Sequence, residues 1–119
     1  MTLNYDKLSK QILDLYSKVR FAGVANSKGE MIAGGQKQNV EKILDGENVK
    51  MSIHYALQKR DLFTNLAYKI GAEQSSITEY EKVTLISIPI NSSDLFLIST
   101  EPRADYLKII DFVRSSLNS

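Results

Sequence analysis

The sequence contains no cysteine and no tryptophan, one histidine, two prolines and six glycines. Without cysteine there is no disulfide, no thiol nucleophile and no thiolate metal site, and the chain suits a reducing compartment. Metal binding usually takes three or more His, Cys or carboxylate ligands, and the lone His54 has no partner at ligand spacing. Catalysis by it would need a nucleophile or carboxylate held beside it. Its neighbours by helical spacing are Lys50, Gln58 and Asp61, so solvent exposure or a structural hydrogen bond is expected. Charge of one sign is lacking too: 15 Lys and Arg against 14 Asp and Glu leave a net charge of +1. The basic residues are scattered, whereas affinity for nucleic acid comes from clustered ones, and the tyrosines are spread out rather than forming a base-stacking run. The opening MTLNYDKLSKQILDL is charged and amphipathic, with neither a signal-peptide core nor the length of a membrane span. A cytoplasmic protein without membrane or nucleic-acid partners is expected.

Motifs of chemistry are equally scarce. Gly34-Gly35 belongs to no GxxxxGK[ST] or GxGxxG pattern and reads as a strand-ending bend. Asn91-Ser92-Ser93 spells a glycosylation acceptor, but without a secretory signal it reads as turn chemistry. Neither repeats nor linkers are visible. Asp, Glu, Ser, Lys and Tyr remain, at no spacing that makes an active site. The expectation is one non-enzymatic domain spanning 1–119, without cofactor or metal.

What is present is a fold. With 119 residues, 43% hydrophobic and 24% charged, the chain suits one ordinary globular core. Residues 83–100, VTLISIPINSSDLFLIST, are two apolar runs about a polar turn, a β-hairpin that the remainder packs around. Leu85 next to Ile86 and the unbroken 95–98 put apolar side chains on both faces of the sheet, so both need cover. Pro89 cannot donate to a ladder, and an irregularity is expected there.

Taken in order, Leu8, Ile12, Leu15 and Val19 form one stripe of an amphipathic helix over about 4–18. Residues 20–25 (RFAGVA) and 31–33 (MIA) flank Asn26-Ser27-Lys28-Gly29, where Gly29 can supply a positive φ for a tight hairpin. The small Ala22, Gly23, Ala25 and Ala33 leave room for a helix to approach, or less readily a ligand. Residues 34–45 read as a loop carrying at most one helical turn. A helix follows over about 46–70, with Asp45 to cap it and Gly71 to end it.

On a wheel of 100° per residue, Val49, Ile53, Ala56, Phe63, Ala67 and Ile70 make one stripe of that helix. Met51, Tyr55, Leu62 and Leu66 make a second, and Lys50, His54, Gln58, Asp61 and Asn65 form the only wet strip. An arc of little more than about 100° suffices to cover one sheet, so this helix has a second neighbour. The second stripe can lie in an interface or beneath the 34–45 loop, and the interface is favoured. Residues 75–81 (SSITEYE) make a short polar strand suited to a sheet edge. After Thr100, Pro102 fits the first turn of a last helix, with Leu107, Ile110, Val113 or the Arg114 stem, and Leu117 as its stripe. The result is an α+β, three-layer α/β/α sandwich, with a five-stranded antiparallel sheet, one long helix on one face and the two terminal helices on the other.

This element order, the VRFAGVANSKGEMIAGG hairpin and the VTLISIPI/DLFLIST hairpin leading through Glu101-Pro102 resemble the roadblock/dynein-light-chain family of the profilin-like and longin-like superfold. RFAGVANSKGEMIAGG and the ISIPI to LIST-EP pairing also resemble a small archaeal family of that superfold. The resemblance implies a non-enzymatic homodimer that pairs edge strands across a two-fold axis, lays its central helices side by side, and serves as a platform for small GTPases or larger assemblies. On this chain the interface would comprise Met51, Tyr55, Leu62, Leu66, Ile77, Thr78, Glu79 and Tyr80. An alternative is a small-molecule sensor, because PAS-type domains of related element order bind ligands between sheet and helix.

Overall fold

The 83–100 hairpin forms the middle and one flank of a five-stranded antiparallel sheet in the computed structural model, which describes residues 4–38, 40, 43, 46–91 and 93–117. The elements run α1 (Tyr5–Leu15), β1 (Val19–Ala25), β2 (Met31–Gln36), α2 (Gly46–Phe63), a 3-10 turn (Thr64–Leu66), α3 (Ala67–Ile70), β3 (Ser76–Glu79), β4 (Thr84–Pro89), β5 (Leu95–Thr100) and α4 (Tyr106–Leu117). The strand order is β2-β1-β5-β4-β3. Short polar β3 is therefore an edge, as its sequence requires, and β5 is central.

One face of the sheet carries the core. Leu8 and Ile12 of α1 and Ile109, Ile110 and Val113 of α4 pack on Ala22, Val24, Ile86, Ile88, Phe96 and Ile98, all buried. Ala22 and the cross-strand partner of Val24, Ala33, are the small side chains on this face, where α1 lies close over β1 and β2. On the other face lies α2, and the two-sided hydrophobicity of the hairpin thus finds cover on both sides.

Several local details differ from the sequence reading. The first helix stops at Leu15, where Tyr16 turns extended (φ −118°, ψ 107°). Val19 reaches the core as the first residue of β1, and Leu15 stays exposed. Pro102 precedes α4 rather than opening it: Asp105 Oδ1 accepts from Lys108 N at 3.2 Å as the cap. This rotates Leu107 outward and brings Ile109 into the core. The long helix tightens at 64–66, where the Thr64 hydroxyl bonds back to the Asp61 carbonyl and competes with the helical ladder. Gly71 (φ 88°) ends α3. The expected Asp45 cap, Leu44 and Ser92 lie outside the described residues.

Gly34-Gly35 do not end β2, which continues to Gln36. Gly34 adopts φ 87° inside the strand opposite Gly23, and a Cβ there would lie 2.2 Å from the Ala22 carbonyl oxygen. Two facing glycines let the backbones close up and absorb a left-handed residue without breaking the ladder; the register shifts instead at Val24/Ala25. Nor is there a bulge at Pro89, which pairs in register with Leu95. Ile90 N donates to the Asp94 carbonyl, so by alternation Pro89 faces the β3 side. There β3 has not yet begun, since Ser76 pairs with Ser87, and the missing donor has no partner to lose.

Candidate interaction surface

Helix α2 stands apart from the sheet that it covers. Among its described residues only Ile53 is fully buried. Its far half is tied down by Arg60, whose guanidinium donates to the carbonyls of Asp94 (3.1 Å) and Asn91 at the β4–β5 turn. That turn is itself fixed by Asn91 Oδ1, which accepts from Ser93 N and Asp94 N, both at 2.8 Å. Lys59 Nζ reaches the Thr78 hydroxyl on β3. His54 is exposed, with Nε2 3.2 Å from Gln58 Nε2, a structural contact on the helix surface.

The second apolar stripe faces solvent. Met51, Tyr55, Leu62 and Leu66 are 50%, 52%, 66% and 56% exposed, so the described residues do not cover them. Ile77 and Tyr80, on and just after β3, are also exposed apolar side chains, Glu79 is exposed, and Thr78 is half-buried. The stripe and the edge strand meet where Lys59 bonds Thr78.

The two sheet edges are not equivalent. In β2, Lys37 N donates to the Arg20 carbonyl, so by alternation Ala33 and Gly35 face β1 while Gly34 faces outward. Asp6 of α1 accepts that outward N–H at 2.8 Å, a charge-assisted bond, and the Gln36 side chain holds the Val40 carbonyl at 3.3 Å. This edge is partly capped by its own chain. In β3, Tyr80 N donates to the Val83 carbonyl across the Glu81-Lys82 turn. Thr78 and Ser76 then bond inward to Leu85 and Ser87, and Ile77 and Glu79 direct their N–H and C=O groups away from β4. Sequence reasoning located the stripe and the β3 edge, but missed the Asp6 cap, for which spacing of 28 residues left no local signal.

No group of three potential metal ligands occurs among the described residues, and no helix among them is long and apolar enough to cross a membrane. Among the described residues the one perturbed titratable group, Tyr16, lies elsewhere. Burial first, then the nearby Asp105 carboxylate, push its phenol above 10.0, and its ring meets Phe112 edge-on at 5.8 Å.

No protein-family model and no curated protein matches the chain. Solved structures do. A roadblock/LC7 domain from Streptomyces avermitilis superposes with a TM-score of 0.73 at 12% identity, over 97% of this chain and 92% of that one. The gliding protein MglB from Thermus thermophilus gives 0.75 at 14% identity, over 93% and 81%. An MglB in a tetrameric arrangement gives 0.76 at 14% identity, over 93% and 80%. The chain has the roadblock/LC7 fold.

Proposed function

We propose that the protein is a non-catalytic, homodimeric scaffold or regulatory subunit that acts through protein contacts in the cytoplasm, with a small GTPase as its partner. The observation that carries this reading is the exposed stripe Met51, Tyr55, Leu62 and Leu66, continuous with the outward-facing edge of β3. Antiparallel pairing of two β3 strands would make one ten-stranded sheet and bring two copies of α2 side by side over it. Ile77, Thr78, Glu79 and Tyr80 would then join the stripe in the interface. The partly capped β2 edge directs self-association to β3, since an open edge is a template for another strand.

Support also comes from the fold, shared with an MglB seen in a tetrameric arrangement. The GTPase partner rests on the family resemblance alone. Replacing Tyr55 and Leu62 together by Glu tests the interface: both are more than half exposed, so the fold should survive while the mass in solution falls to that of one chain. A double variant with unchanged mass and stability would refute the assignment.

A further inference from the structure

Between α2 and the sheet lies a cavity of about 750 Å³, within the roughly 300–1,000 Å³ typical of small-molecule sites. We infer that this cavity binds a long-chain carboxylate, the acyl chain lying across the sheet under α2 and the carboxylate held at the β3 end by Lys59 and Lys82. This reading goes beyond self-association, although Met51, Tyr55, Thr78 and Tyr80 line both the cavity and the proposed interface.

Shape is the first argument. The cavity floor includes Gln36, Phe21, Ser99, Leu85 and Thr78, which are one cross-strand row running through β2, β1, β5, β4 and β3. Five strands span four spacings, roughly 19 Å at about 4.8 Å each. The space is therefore long, and suits an extended chain better than a compact ring.

Chemistry is the second. The apolar lining comprises Phe21, Met31, Ile43, Val49 and Ile53 toward β2 and Ala56, Leu85 and Leu97 in the middle, with Arg20, Gln36, Asn48 and Ser99 as polar groups among them. An apolar cavity of this kind is favourable to a hydrocarbon chain. Toward β3 the lining becomes polar, with Lys59, Thr78, Tyr80, Glu81 and Lys82. Lys59 gives one N–H to the Thr78 hydroxyl, and an ammonium has three. At this end, among the described residues, the two cations Lys59 and Lys82 stand against the one carboxylate of Glu81, so an anionic head group is favoured over a cationic one. Lys59 and Lys82 both line the β3 end of the long axis, which sets the ligand's direction.

The test is calorimetric titration of the full chain with sodium laurate below its micellar concentration, with dodecyltrimethylammonium as the cationic counterpart of equal chain length. The expected result is one saturable laurate site per chain, at least about tenfold tighter than the cation, because a hydrogen bond to a charged group is worth that much. Replacing both Lys59 and Lys82 by Met keeps the aliphatic stems and should cost laurate about tenfold in affinity. Ala56→Trp, which fills the middle of the cavity, should abolish binding. Should that variant fail to fold, the lysine pair, which lies at the rim, still decides. Absence of saturable laurate binding, equal affinity for the cation, or indifference to the double lysine change would each overturn the inference.

Discussion

Glu79→Pro removes one outward-facing donor from β3 without touching the bonds that hold β3 to β4, because Ser76 and Thr78 make those bonds. Antiparallel pairing about a two-fold axis at Thr78 would set Ile77 of each copy opposite Glu79 of the other and form four main-chain hydrogen bonds. At about 0.5–1.5 kcal/mol net apiece, they contribute roughly 2–6 kcal/mol. The stripe supplies the larger share. Eight half-exposed apolar side chains, each worth about 1.5–3 kcal/mol if fully buried, give on the order of 7–13 kcal/mol. Association itself costs an estimated 4–15 kcal/mol. The two terms nearly cancel, so the strand bonds decide whether the dimer is tight.

One proline per copy deletes two of the four bonds, about 1–3 kcal/mol, which weakens dimerisation roughly five- to 150-fold. Edge strands tolerate proline when its nitrogen faces away from the ladder. Sedimentation equilibrium gives the dissociation constant and thermal unfolding of dilute protein reports the monomer fold. Thr78→Pro is the contrasting variant: it removes an inward donor and should lower thermal stability even where the chain is monomeric. If Glu79→Pro leaves the dissociation constant of a dimer unchanged, or if the two variants behave alike, the assignment of the β3 edge is wrong.

Two further outcomes follow. Thr78→Cys introduces the only cysteine into a chain that has none; at the two-fold axis the two Cα atoms would lie about 4.5 Å apart, as in any non-hydrogen-bonded antiparallel pair, which is within disulfide reach. Mild oxidation should yield a covalent dimer on non-reducing gels for Thr78→Cys but not for a cysteine at exposed Lys28 in the distant β1–β2 turn. Tyr16, its phenol held neutral by burial and by Asp105, has a folded pKa above its unfolded one, so its contribution is complete below about pH 10 and is lost as pH rises through the folded value. Chemical denaturation as a function of pH should show stability falling above pH 10, with a shallower fall in Tyr16→Phe; equal slopes would contradict this.

The architecture was legible where the pattern was redundant. The 83–100 hairpin shows apolar residues at every position from 95 to 98, which only a strand covered on both faces can accommodate, and the second apolar stripe of 46–70 lies exposed on the helix. Boundaries were legible only where a local signal existed. Gly71 ended α3 as a glycine should, but Val19 fits the α1 stripe by spacing and the β1 run by its β-branch, and tertiary packing chose the strand. Leu107 and Ile109 are both apolar near the start of α4, and which one faces the core depends on the Asp105 cap. Pro89 and Gly34 looked like defects because local rules treat them so. Each is harmless for a reason that involves another strand: β3 starts too late to need the Pro89 donor, and Gly23 opposite makes room for Gly34. The contacts that shape the candidate surface, Asp6 to Gly34, Lys59 to Thr78 and Arg60 to the β4–β5 turn, join residues 19 to 34 positions apart. No periodicity encodes them, and the cavity they leave under α2 depends on where the helix crosses the sheet.

The solution mass of the wild-type chain, measured by sedimentation equilibrium over a wide concentration range, tests self-association most directly. A species of twice 13.4 kDa that dissociates only toward the lowest concentrations is the predicted result. A single 13.4 kDa species persisting to the highest concentrations would contradict the account, since neither the exposed stripe nor the β3 edge would then be closed by a second copy.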